Sequence, residues 1–389
     1  MRVLHFISSA RDFRPFFFGL ARSLDRTAVE LSVCTMEPEW GFHRELVALG
    51  IRAYGLGLGV EGNRLRAFWQ LRGLLAVERP QILHLHLFWP ALIGLLAARG
   101  LRKRPACVVT RHYSDFKYTQ IDSVLEREGY LALERLLNRL TDRLIVLSEL
   151  TEDIILRVER MPPTKVVRIP LGFEFDEMQP PSLSSVEALR REMGLDGHFV
   201  IGIIGRLSKE KGHHYLFQAL SELPPGGSMQ WKLLVVGDGP LRKQLEHQVT
   251  EHNLREQVIF TGFSDQPLAM ITLMDLVVQP SLHEAFSRTM VETLALGKPL
   301  IITEVSGVHE VVRDGQNGLI VPQRDPSALA AAIRRVIDSP AWARQIAAQG
   351  ARDVRGFTME RMAAAYQSCY QEVLAEMGTL AAVSDGSRE

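Results

Sequence analysis

The sequence predicts an α/β protein of two Rossmann-like domains, each a parallel sheet covered by helices, with the sheets facing across a cleft. Three observations carry this expectation. A chain of 389 residues is too long for one ordinary core. Short β-branched or leucine-rich runs alternate with helix-length amphipathic stretches from end to end, the pattern of parallel sheets with crossover helices. The alternation breaks once, at 174–185, where an acidic segment carrying Pro180-Pro181 and Ser182, Ser184 and Ser185 reads as a linker. The expected domains are therefore 1–173 and 186–356.

In the first domain the strand candidates are Val3–Ile7, Leu31–Thr35, Ile82–Leu87, Cys107–Thr110 and Leu144–Leu147. Helical patterns between them run over Leu65–Val77, with Asn63 as N-cap, and over Ser123–Leu140; Ser148 caps a further helix reaching Glu159. In the second, strands are expected at Phe199–Ile204, Lys232–Val236, Val258–Phe260, Leu276–Gln279, Pro299–Thr303 and Leu319–Val321. Helices should start near Gly212, Pro240, Arg288 and Pro326, and a final one spans Glu360–Glu376, followed by a frayed polar tail.

Hydrophobic residues at 46% and charged ones at 23% are ordinary for a soluble globular chain. A formal net charge of zero gives no polycation for nucleic acid. The charge is unevenly placed, however. Residues 1–172 hold 25 Lys and Arg against 18 Asp and Glu, and the remainder the reverse excess. A basic first domain suits an anionic acceptor or peripheral contact with an anionic membrane surface, and equally a merely solvated arginine-rich face. Cys34, Cys107 and Cys369 have no metal or redox spacing and read as buried free thiols. The start, Met1-Arg-Val-Leu-His-Phe-Ile, enters a strand without the apolar core of a signal peptide, and the expected location is cytoplasmic. Ile82–Ala98 is apolar, but short for a span and interrupted by His84, His86 and Pro90; it reads as a strand followed by a helix.

Open parallel sheets bind ligands beyond the C-terminal ends of their strands, and there the unusual motifs fall. After the first strand of the second domain comes Gly205-Arg-Leu-Ser-Lys-Glu-Lys-Gly212, in which Arg206 and Lys211 put two cations on a loop entering a helix. Such a loop suits a diphosphate. Val235-Val-Gly-Asp-Gly-Pro240 follows the next strand; Gly237 and Gly239 permit close backbone approach, though ordinary turn chemistry explains it equally well. Pro280-Ser-Leu-His-Glu-Ala-Phe-Ser-Arg-Thr-Met-Val-Glu292 places Glu284 in a strand-end loop and Glu292 one turn into a helix. One acid can hold sugar hydroxyls and the other ribose hydroxyls, with the amides of Arg288, Thr289 and Met290 facing phosphate. The helix dipole alone also favours a Glu there.

From Ile201 to about Pro326 the chain resembles the nucleotide-binding domain of glycosyltransferase family 4, the group 1 retaining enzymes of GT-B fold. Seven blocks come in that family's order: those at 205–212, 235–240 and 280–292, together with Val258-Ile-Phe-Thr-Gly-Phe263, Gly297-Lys-Pro299, Gly307-Val-His-Glu-Val-Val312 and Asp314-Gly-Gln-Asn-Gly-Leu-Ile-Val-Pro322. The resemblance implies that Arg206 and Lys211 bind the donor diphosphate, Glu292 its ribose and Glu284 the transferred sugar. Gly205, Gly237, Ser287 and the backbone of Thr261, Gly262 and Phe263 would complete the donor site. It implies that the last helix, about 357–376, packs back on the first domain. His112, after Val108-Val-Thr-Arg111, stands where a histidine reaches the donor sugar; its plain alternative is a strand-end histidine bonded to a carbonyl. His84, His86 and His112 could be imagined as a zinc triad, but no carboxylate or thiolate spacing supports one, and the family generally needs no metal.

Two departures stand out. The first strand is followed by Ser8-Ser-Ala-Arg-Asp-Phe-Arg-Pro15, with no glycine before Gly19, so Arg11, Arg14 and His86 are the candidate acceptor-side residues. Phe16-Phe-Phe18 is a lip for a lipid acceptor or, preferably, a buried helix face. Ala285 and Ser287 replace usual glycines. The expected activity is retaining transfer from a UDP- or GDP-sugar, without further cofactor, to a glycan, glycolipid or small-molecule hydroxyl. The alternatives are a nucleotide-sugar epimerase or a non-catalytic scaffold.

Overall fold

The computed structural model describes residues 1–11, 13–59, 62–112, 121, 123–223 and 230–386; Asp12 of the first strand-end loop lies outside them. The chain divides into two compact units, Met1–Phe173 with Phe357–Glu389, and Glu174–Gly356.

The first unit is built on strands β1 (Arg2–Ile7), β2 (Glu30–Thr35), β3 (Arg52–Gly55), β4 (Ile82–His86), β5 (Ala106–Arg111), β6 (Arg143–Val146) and β7 (Val166–Arg168). They form one parallel sheet in the order β3-β2-β1-β4-β5-β6-β7. The central strands β4 and β5 are buried along their whole length, as continuous apolar runs covered on both faces must be. The edges β3 and β7 are the strands the alternation does not single out. Both are short and partly exposed, so neither needs an apolar signature.

One sheet face packs the helices Arg14–Ser23 and Met359–Gly386, and Phe16, Phe17 and Phe18 lie in this core rather than forming a lip. The other face buries Leu71, Leu75 and Ile93 from the helices Arg64–Glu78 and Phe88–Ala98. The last helix runs on to Gly386, beyond the frayed tail expected after Glu376. Its start is fixed where Phe173 pairs with Thr358, and a Cβ on Gly172 would stand 2.7 Å from Met359 Cα. A glycine there lets the helix approach the backbone.

The second unit carries β8 (Phe199–Ile204), β9 (Trp231–Val236), β10 (Val258–Gly262), β11 (Leu276–Gln279), β12 (Leu300–Thr303) and β13 (Leu319–Val321). The order is β10-β9-β8-β11-β12-β13, again parallel. A helix, Leu183–Glu192, begins inside the expected linker. In each sheet the strand order reverses at one place, between β1 and β4 and between β8 and β11, and such a reversal opens a crevice at the strand ends. Among the described residues no helix is long and apolar enough to cross a membrane.

Candidate active site

In the second unit the loops after β8 and β11 meet at the switch point. The β8 loop turns through Gly205 and ends at Gly212, whose φ of 65° is left-handed and whose Cβ would lie 2.0 Å from the Pro280 carbonyl oxygen. Only glycine fits so close an approach. Leu282 donates its amide to Glu210 O at 2.7 Å, which locks the two loops together. The β9 loop joins them: Gly237 N donates to Gly262 O at 2.8 Å, and Leu207 N to Asp238 O at 3.0 Å.

These ties place the charged groups. Lys211 Nζ donates to Glu284 Oε1 at 2.6 Å, and Ser281 Oγ donates to the same oxygen at 3.0 Å. Arg206 is exposed, and among the described residues its guanidinium has no ion-pair partner. Glu292, only 7% exposed, accepts from Arg288 Nη2 at 3.2 Å one helical turn away. Gly262 takes φ 77°, and Thr261 Oγ1 donates to its carbonyl at 2.9 Å. Phe263 is 81% exposed beside them.

Ser287, which stands in place of a usual glycine, serves as a helix cap. It sits at φ −77°, ψ 115°, an ordinary extended conformation, and caps the helix Arg288–Ala295 by accepting from Met290 N at 3.2 Å. Its hydroxyl donates to Gln279 Oε1 at 3.0 Å. The Met290 amide is thereby taken and its side chain fully buried, so the helix start offers an anion the amides of Arg288 and Thr289.

In the first unit His112 follows β5. It is half-buried, edge-on to Phe13 and Phe16, and its Nε2 lies 2.9 Å from His86 Nδ1. Burial pulls its pKa down to about 3, so the ring is neutral. His86 is completely buried, with its other nitrogen 2.8 Å from His5 Nδ1. The acceptor contact expected of His86 thus gives way to an internal one. Nor is a carbonyl the partner of His112 Nε2.

The glycine-free loop after β1 is organised by Glu37, a residue the sequence did not mark. Its buried carboxylate accepts from Ala10 N at 3.0 Å, Ser9 Oγ at 3.1 Å and Trp40 Nε1 at 2.9 Å. Arg11 is 82% exposed and 3.9 Å from Glu37, whereas Arg14 is paired with Glu45. Among the described residues the group with metal-like spacing is His5, His84 and His86, whose ring nitrogens lie within 4.8 Å of one another. His5 therefore stands where His112 was imagined.

Comparison with known proteins follows the same division. Residues 185–353 match the family model of glycosyl transferases group 1, and residues 16–177 that of glycosyltransferase family 4. The chain is 32% identical over 260 residues to a 2-deoxystreptamine glucosyltransferase of Streptomyces kanamyceticus, covering 65% of this chain and 66% of that one. It is 27% identical to a UDP-Gal:alpha-D-GlcNAc-diphosphoundecaprenol alpha-1,3-galactosyltransferase of Escherichia coli, covering 70% of each. The chain thus spans about two thirds of the length of these relatives. Among solved structures, Anabaena Alr3699/HepE in complex with UDP and glucose superposes with a TM-score of 0.81 at 21% identity, over 96% of this chain and 100% of that one.

Proposed function

We propose that this chain, which belongs to glycosyltransferase family 4 (group 1) and has the GT-B fold, moves a sugar from a nucleoside-diphosphate donor to an acceptor hydroxyl with retention at the anomeric carbon. The observation that carries the reading is the β8–β11 switch point. There Lys211 pairs with Glu284, Arg206 lies exposed on the same β8 loop, and Glu292 stands in the first turns of the helix that starts at Arg288.

A departing diphosphate needs positive charge already in place, and in a dry site such groups act far more strongly than in water. Arg206 and Lys211 supply it. Glu292 takes the ribose hydroxyls, Thr261 to Phe263 the base, and Glu284 the hydroxyls of the transferred sugar. Because Glu284 is already engaged by Lys211 and Ser281, it acts as a holding group rather than a free nucleophile. Retention then follows from same-face substitution, in which the leaving phosphate draws the proton from the acceptor. His112 offers the reacting sugar a hydrogen bond.

A uridine donor is supported by the UDP held in the Anabaena structure and by the UDP-galactose named for the Escherichia coli relative; a GDP-sugar is the next candidate. The relatives' named acceptors, an aminocyclitol and a lipid-linked sugar, support a hydroxylated small molecule or a growing glycan. Incubation with a panel of donors, with and without acceptor alcohols, tests the reading by product mass and proton NMR. A product with the donor's anomeric configuration supports it. An inverted product removes retention, and an isomerised sugar without acceptor identifies an epimerase.

A further inference from the structure

A single row of hydrogen bonds runs through the core of the first unit and ends at His112. At its far end Tyr366 Oη lies 3.5 Å from Thr110 Oγ1, which lies 2.6 Å from His84 Nε2. His84 Nδ1 is 2.6 Å from Tyr370 Oη, and that hydroxyl is 3.2 Å from His5 Nε2. His5 Nδ1 meets His86 Nε2 at 2.8 Å, and His86 Nδ1 meets His112 Nε2 at 2.9 Å. The parallel sheet sets this up: His5 is in register with His84, and His86 with Thr110. Tyr366 and Tyr370 come from successive turns of the last helix.

A neutral imidazole carries one N–H and one lone pair, and a hydroxyl can donate one hydrogen while accepting another. Burial keeps the imidazoles neutral, drawing the His5 pKa to about 3 and those of His84 and His86 well below the usual value. Seven protons therefore serve six links, and one is left over at an end of the row. All links also point the same way, because Thr110 or Tyr370 accepting from both sides would leave its own buried hydrogen without an acceptor among the described residues.

If they pointed away from His112, the Tyr366 hydrogen would have to leave the row. Among the described residues that hydroxyl, fully buried, has Thr110 as its one hydrogen-bond partner. A buried donor without an acceptor is costly. The row therefore runs towards His112. Tyr366 donates to Thr110, Thr110 to His84, His84 to Tyr370, Tyr370 to His5, His5 to His86 and His86 to His112 Nε2. The surplus proton rests on His112 Nδ1.

We propose that this row fixes the tautomer of His112, so that it meets the reacting sugar as an Nδ1–H donor and not as a proton acceptor, with Tyr370 and His5 as positioning residues. Use of that donor in transfer rests on the reading of His112 as a sugar contact; the tautomer itself does not. Zinc held by His5, His84 and His86 is the competing use of the cluster. It would take the lone pairs at ~2.0–2.1 Å that the row already employs.

The test is two-bond proton–nitrogen NMR of the full chain labelled with 15N-histidine near neutral pH, with His112 assigned through His112→Gln. The wild type should show His112 as one neutral tautomer protonated on Nδ1. Tyr370→Phe cuts the row without touching His112 and should turn that signal into a tautomer mixture; Thr110→Val, a second cut, should do the same if the first variant folds poorly. In transfer assays Tyr370→Phe should lower kcat about tenfold with KM little changed. An Nε2–H tautomer in the wild type, a signal indifferent to both cuts, or stoichiometric zinc on these rings would overturn the proposal. If the tautomer behaves as stated while His112→Ala transfers normally, the row stands and the sugar contact falls.

Discussion

Lys211 and Glu284 share a 2.6 Å hydrogen bond in the second unit, so the cation proposed for the diphosphate and the acid proposed for the sugar form one preassembled pair. Ser281 holds the same carboxylate oxygen. On the proposed reading, a donor entering the site meets charges that are already positioned, as electrostatic catalysis requires.

Lys211→Met should leave folding largely intact and reduce kcat by on the order of 10²–10³-fold, the usual effect of removing one preorganised charge-stabilising group. Arg206→Ala should weaken donor binding without lowering thermal stability, because the exposed guanidinium has no ion-pair partner among the described residues. Steady-state kinetics and melting curves on both variants check this. A Lys211 variant with wild-type turnover would remove the pair from the mechanism.

Ser287→Ala should cost about 1 kcal/mol of stability, since it strips the cap from the helix Arg288–Ala295, and Ser287→Gly should cost only a few tenths. Urea unfolding compares the two. If glycine is the worse replacement, backbone freedom rather than capping governs this position.

Gly237→Ala should destabilise the second unit and weaken donor binding together. Its φ is 136°, and a Cβ would fall 2.0 Å from the carbonyl oxygen of Gly205, in the loop that carries Arg206 and Lys211. Gly129→Ala provides the contrast. That glycine lies within the helix Val124–Leu140 with open space around its Cβ position, so alanine should stabilise by roughly 0.5–1 kcal/mol. Calorimetry on both variants separates close approach from general glycine effects.

Acidification should weaken the first unit. His5, His84 and His86 are held neutral by burial, with pKa values depressed below the ordinary 6.5, to about 3 for His5. Above 6.5 neither folded nor unfolded chain binds these protons and stability is fully present. Below it the unfolded chain takes up protons that the folded one refuses, so stability falls as pH drops towards about 3. Each such histidine contributes up to ~1.4 kcal/mol per pH unit. Urea midpoints at neutral pH and in mild acid should show the loss, and His5→Gln should flatten it. A midpoint independent of pH would contradict neutral burial.

Much of this architecture was legible because parallel sheets write themselves plainly: β1, β4, β8 and β11 are short apolar runs, and chemistry follows at their C-terminal ends. Arg206, Lys211, Glu284 and Glu292, the residues proposed for the donor, were marked in that way. Glu37 was not, since a single acid after a strand carries no pattern; only the three donors on its buried carboxylate reveal its task. The histidine row was half visible. His84 and His86 alternate on one strand face, but His5 joins them by register, and Tyr370 lies 286 residues from His84 in sequence. Tyrosines four apart on the last helix were the one available signal. The edge strands β3 and β7 were too short and too exposed to carry a period.

The most direct measurement is a thermal-shift screen of UDP-, GDP- and ADP-linked sugars on the wild type and on Glu292→Ala. At about 100 times its dissociation constant the true donor should stabilise the wild type by ~2.7 kcal/mol, and the shift should vanish in the variant. A shift of equal size in both proteins would place the donor elsewhere than Glu292. No shift with any nucleotide sugar would contradict donor binding at the β8–β11 switch point.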